Sequence, residues 1–110
     1  MIRDIKHRYI MIETSEPIDM DARENQEALE TELLKQLGEL KFYEANPKFA
    51  LQLSGTVFVL KTNRHYDRST ILATAFIKKM LGREIGLYTI KTSGTIRSLK
   101  STFRKIYRQT

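Results

Sequence analysis

A single α+β domain is what this sequence predicts: an antiparallel sheet built in the order βαββαβ, with one basic helix added at its C-terminal end. Three observations carry that expectation. Apolar and polar residues alternate in three regions, apolar residues recur at helical spacing in two others, and the last fifteen or so residues are amphipathic and strongly cationic. One domain is expected over residues 1–110, since a chain of that length buries roughly two-thirds of its unfolded surface without staples.

Taken in order, His7 to Glu13 reads as a strand, with Ile10 and Ile12 on one side and Tyr9 and Met11 on the other, until Pro17 breaks it. Asp21 with Glu24 has the spacing of a capping box. Ala22, Gln26, Leu29, Leu33, Leu37 and Leu40 then keep helical spacing, and Gly38 ends the run. Phe49 to Leu60 reads as a hairpin turning at Ser54-Gly55. With that turn Leu51 faces Phe58 and Phe49 faces Leu60, so Phe49, Leu51, Leu53, Phe58 and Leu60 share a core face. Ala50, Val57 and Val59 hold the other face, with lysines at the ends. Asp67 or Ser69 is placed to cap a second helix, with Leu72, Ala75, Phe76, Ile77 and Met80 buried and Gly82 as its stop; a last strand runs from Glu84 to Lys91.

The final helix follows Ser93-Gly94-Thr95. Ser93 or Thr95 can cap it, and Gly94 allows a sharp turn before it. Ile96, Leu99, Phe103, Ile106 and Tyr107 fall on one arc; Arg97, Lys100, Arg104, Lys105 and Arg108 fill the adjoining one. The element order is that of ferredoxin-like and RNA-recognition-motif domains with one helix added. That helix has an apolar arc to bury, and Tyr9, Met11, Val57 and Val59 offer the face for it.

The net charge of +6 is unevenly divided: residues 1–40 hold five Lys/Arg against ten Asp/Glu, and residues 41–110 hold fourteen against three. Such asymmetry fits an oriented complex in which one surface meets nucleic acid and another meets a different partner, such as a basic protein. There is no cysteine, and two histidines among scattered carboxylates speak against a structural zinc site. No stretch reads as a membrane span or a signal peptide, so a cytoplasmic protein with no membrane partner is expected.

Few residues point to catalysis. In the basic part the carboxylates are Glu44, Asp67 and Glu84, from three elements, and no phosphate-binding loop is present. His65, beside Arg64 and Asp67, is a conceivable base, though a capping or solvated histidine is the commoner case. Acylphosphatase-type enzymes share the topology but bind anions in a basic, glycine-containing loop; Thr14 to Asp19 is acidic and lacks glycine. Base stacking on the sheet is disfavoured as well, because Ser54 to Lys61 keeps little of the RNA-binding signature and Phe58 turns into the core. A stand-alone RNA-binding or protein-interaction module stays open as an alternative.

Arg3-Asp4, Arg8-Tyr9-Ile10, Leu37-Gly38-Glu39-Leu40 and above all Ser93-Gly94-Thr95-Ile96 followed by a basic helix resemble, in order and spacing, the archaeal ribonuclease P protein component 2 family, related to the eukaryotic processing-of-precursor-RNA subunit. The sequence departs from that pattern in a short hairpin turn and in Ser98, Ser101 and Thr102, where relatives often carry more lysine or arginine. The resemblance implies a protein subunit of the ribonucleoprotein endonuclease that removes the 5′ leader of precursor tRNA. It implies that the RNA and its bound Mg2+ do the hydrolysis, with no catalytic residue and no cofactor on the protein. The implied partners are ribonuclease P RNA and protein component 3, with a homodimer contact in a heterotetramer. Together with the charge pattern it marks Ser93, Gly94, Thr95, Arg97, Lys100, Arg104, Lys105 and Arg108 as RNA contacts, and Arg3, Lys6, Arg8 and Arg64 as further ones.

Overall fold

In the computed structural model, which describes residues 6–107, the alternation in β1 (His7–Thr14) sets the layering. Ile10 and Ile12 enter one core, and Met11 enters another on the opposite face. The chain continues through α1 (Arg23–Leu37), α2 (Glu39–Ala45), β2 (Lys48–Ser54), β3 (Val57–Asn63), a 3-10 turn (Arg64–Tyr66) and α3 (Asp67–Ala75). A short hairpin of β4 (Lys79–Met80) and β5 (Arg83–Glu84) follows, then β6 (Leu87–Ser93) and α4 (Ile96–Tyr107). The main sheet has the order β2-β3-β1-β6 with every neighbour antiparallel, the expected ferredoxin-like arrangement.

Helices α1 and α3 cover one face, where Leu29 and Leu33 meet Ile10, Ile12, Phe58 and Leu60. On the other face α4 buries Leu99 completely against Met11, Val57 and Val59, with Phe103, Tyr107 and Tyr9 half-buried around them. The three-layer expectation holds. Residues 57–60 are therefore buried on both sides of β3, which explains an unbroken Val-Phe-Val-Leu run in an antiparallel sheet.

Several local expectations are corrected. No capping box forms at Asp21: α1 starts one residue later than the box requires, without a side-chain cap. The Asp21 N–H instead bonds Asp19 Oδ1, and the Gln26 amide reaches back to the Met20 carbonyl. Gly38, at φ 84°, ends α1 as predicted, but the chain restarts at once as α2, which leaves Leu40 in solvent. The register of β2 on β3 also differs. Phe49 pairs with Leu60, but irregularities after Phe49 and after Gln52 put Leu51 opposite Val59 and Gln52 opposite Phe58. Leu51 and Leu53 thereby move to the α4 face. Gln52 turns inward because its amide holds the Ile18 carbonyl and its oxygen accepts the Met20 N–H at 2.6 Å. α3 stops at Ala75, with neither Asp67 nor Ser69 capping it, and Leu72 and Phe76 are exposed. Gly82 belongs to the β4–β5 turn, and the last strand begins at Leu87. Ile106 lies outside the α4 contact, 52% exposed.

The sheet is fastened to the helical layer by a polar cluster. Thr62 donates to the Ala45 carbonyl at 2.9 Å, Thr70 donates to the Tyr66 carbonyl at 2.8 Å, and the two hydroxyl oxygens lie 3.1 Å apart. Both threonines are fully buried, so each hydroxyl satisfies a carbonyl that would otherwise lose its water uncompensated.

Leu99 tests the third layer. Leu99→Ala is expected to lower stability by about 3 kcal/mol, the cost typical of a fully buried leucine, with a smaller loss for half-buried Phe103→Ala. Urea midpoints of the two variants check this; an unchanged midpoint for Leu99→Ala would mean that α4 is not docked.

Candidate nucleic-acid interface

Docking α4 through Leu99 and Phe103 sends Arg97, Lys100, Arg104 and Lys105 into solvent, and none of the four joins an ion pair among the described residues. On α1 the exposed cations are treated differently: Arg23 bonds Glu27 one turn on, and Lys35 bonds Glu32. Arg97 and Lys100 are three residues apart, and Lys100 and Arg104 four. Such like-charge spacing costs a few tenths of a kcal/mol in an isolated helix. A helix that keeps this repulsion with no carboxylate paired to it among the described residues presents a concentrated positive stripe.

The start of α4 is built as the sequence indicates, with both hydroxyls used in series. Ser93 Oγ accepts the Thr95 N–H at 3.2 Å, and Thr95 Oγ1 accepts the Ser98 N–H at 3.2 Å as the cap. The chain bends at Gly94 as expected, although without the positive φ that would demand glycine there. A Cβ at that position would stand 3.8 Å from the Arg8 guanidinium, so Arg8 lies beside the turn.

Antiparallel pairing gathers the rest of this end. The start of β1 lies against the end of β3 and the end of β6, which brings Lys6, Arg8 and Arg64 near Ser93 to Thr95. The Lys6 carbonyl accepts the Arg64 N–H at 2.9 Å. Arg8 is partly engaged: it forms an ion pair with Asp67 at 3.5 Å and reaches Thr92 Oγ1 at 3.5 Å, so it spans α3 and β6. Arg3 and Arg108 lie outside the described residues.

Two lysines not marked as RNA contacts from the sequence belong to the same surface. Lys61 pairs across the sheet with Tyr9, and Tyr9 with Ser93, which puts Lys61 on the α4 face in line with the helix start. Lys91 stands opposite Met11 on edge strand β6 and is exposed. The phase of β3 already contained the signal, since Lys61 follows Val57 and Val59 at even spacing. Lys48 faces Lys61 but is partly neutralised by Glu30 at 3.8 Å.

Tyr9 packs beneath α4 and Phe58 is in the opposite core, so the centre of the sheet offers no stacking platform. His65 is exposed, and Asp67 beside it is held by Arg8. Among the described residues no three of His, Asp and Glu converge as metal ligands would.

At its other end α4 is tied down by Tyr107, whose hydroxyl bonds the Glu13 carboxylate. Burial first, and then that carboxylate, raise the phenol above its ordinary value of 10.0. The fold thus favours the protonated phenol.

Laid over known structures, the chain is similar to a protein in the cryo-EM structure of yeast ribonuclease MRP. The TM-score is 0.61 at 10% identity, over 96% of this chain and 95% of that one, which shows a shared fold. No curated protein matches the sequence. A four-stranded ferredoxin-like sheet with a helix docked across its second face is the class of fold that the two share. More particularly, residues 8–104 match the Rpp14/Pop5 family, and the chain belongs to it.

The Tyr107 tie gives a pH dependence. A phenol whose folded pKa is raised contributes stability that is full below the unfolded value of about 10 and is lost as pH rises through the folded one. Melting temperatures should therefore fall from about pH 10 upward, and Tyr107→Phe should fall less steeply. Tyr66, also raised, chiefly by its hydrogen bond to Glu44, makes Tyr66→Phe the matching control at the far side of the fold.

Proposed function

We propose that this chain is the RNA-binding subunit of a ribonuclease P of archaeal type, acting in the cytoplasm to hold the catalytic RNA core in its active arrangement together with protein component 3. The carrying observation is the α4 stripe: Arg97, Lys100, Arg104 and Lys105 exposed, without ion pairs among the described residues, and fixed in direction by buried Leu99. Phosphates of folded RNA are the ligand such a stripe suits, and shape rather than base sequence is what it reads. The chemistry on precursor tRNA then belongs to the RNA and its Mg2+, and the protein's part is to neutralise and position.

Salt titration tests the stripe. Each of Arg97→Ala, Lys100→Ala, Arg104→Ala and Lys105→Ala should reduce the slope of log affinity for the cognate RNA against log salt by about one unit. Lys35→Ala, which changes net charge equally at a residue paired with Glu32, should leave the slope unchanged. Equal effects at Lys35 and on α4 would make the stripe mere solvation.

The helical layer supports the second half of the proposal. Leu72 is 60% and Phe76 56% exposed, beside Leu37 and Lys41 in one groove between α1 and α3, and α1 is acidic along its exposed side. An apolar patch with a charged rim is the usual form of a protein docking site, and component 3 is its proposed occupant, with a second copy of this chain as a further contact of the assembly. Leu72→Asp combined with Phe76→Asp should weaken binding of component 3 by about tenfold or more. The RNA salt slope should not move. Calorimetric titration of component 3 reads the first effect, and loss of RNA binding instead would reassign the patch.

A further inference from the structure

We propose that Tyr88, on edge strand β6, is a stacking platform for an unpaired RNA base; the inference rests on the RNA-binding reading above and adds a nucleotide subsite to it. Tyr88 is 59% exposed, and no hydrogen bond of its hydroxyl or ring contact involves it among the described residues. It nevertheless lies against the backbone. A Cβ built on Gly86 would clash with the Tyr88 hydroxyl oxygen and come within 2.7 and 3.1 Å of two ring carbons. The distal half of the ring therefore lies directly over the Gly86 backbone, in space open only because residue 86 lacks a side chain. One face of the ring is turned to the protein and the other to solvent.

The surroundings choose the ligand. Glu13, opposite Tyr88 on β1, receives the Tyr107 hydroxyl, so the ring sits on the α4 face near that helix's last turn, which carries exposed Arg104 and Lys105. On the other flank Gly86 borders a recess that also holds Lys78 and Lys79, both exposed and without ion pairs among the described residues. The carboxylates there are Glu16, taken by Arg83, and Glu84, paired across the hairpin with Lys79's position. An aromatic face between two sets of cations is the arrangement that binds single-stranded nucleic acid: the base stacks while the flanking phosphates are neutralised. A base within a duplex cannot offer its face to the ring, so an unpaired nucleotide is required.

The chain has no tryptophan, which makes Tyr88→Trp a sole optical probe. With the full chain, a short single-stranded oligoadenylate should quench that indole, and a duplex RNA of equal length should not. Tyr88→Ala should weaken oligoadenylate binding by roughly five- to a hundredfold, whereas Tyr88→Phe retains it. Gly86→Ala keeps the tyrosine but displaces its ring, and should lose affinity in the same direction; a structural role of the phenol hydroxyl would give no such pattern. Undiminished binding by Tyr88→Ala, or an unquenched indole in protein shown by anisotropy to carry RNA, overturns the stacking inference and leaves the α4 reading standing. If Tyr88→Ala weakens only the association with component 3, the ring is a protein contact and the inference is equally overturned. Failure of the unaltered chain to bind either RNA removes both readings.

Discussion

The burial of Leu99 against Met11, Val57 and Val59 is the contact on which the functional surface depends. An antiparallel sheet with one apolar face uncovered would be an unfinished domain, and β3 is apolar on both sides. Closing the second face fixes α4 in azimuth as well as in place. With Leu99 and Phe103 turned to the sheet, geometry alone sends Arg97, Lys100 and Arg104 outward. The direction of the positive field is thus a by-product of core packing.

Charge is handled differently on the two outer layers. On α1, basic side chains are matched by glutamates at helical spacing, which keeps a soluble surface without a strong field. On α4 the same residue types stand without carboxylates, and the sheet margin adds Lys61 and Lys91 to them. Unpaired cations on one layer and an acidic, partly apolar layer on the other give the domain two chemically distinct sides, separated by the thickness of a sheet.

Much of this was legible in the sequence, because the strongest signals were periodic. The phase of β1, the inward turn of Phe58, the docking of α4 and its cap at Ser93 to Thr95 all follow from spacing and from one or two turn residues. What escaped was set by contacts distant in sequence. Gln52 bonds Ile18 and Met20, and that bond shifts β2 in register; no local pattern around Leu51 records it. Met80 and Ile77 are buried as their apolarity suggests, but from a turn and a short hairpin, because helical and extended chains can bury the same residues over so short a run. Within the candidate interface the α4 cations were readable, whereas Lys61 needed the strand phase and Tyr88 needed its contact with Gly86, which spacing cannot convey.

The irregular pairing of β2 has a consequence for the company this sheet keeps. A straight outer strand is an open invitation to any extended chain, including an identical one, and proteins that must stay dispersed until assembly suppress it. By breaking step twice along its seven residues, β2 disrupts the even ladder of donors and acceptors that a neighbouring strand would copy. The same two dislocations that carry Leu51 and Leu53 under α4 therefore close one flank of the sheet to indiscriminate growth. Safeguarding against fibrous stacking and completing the second core are one event in this fold.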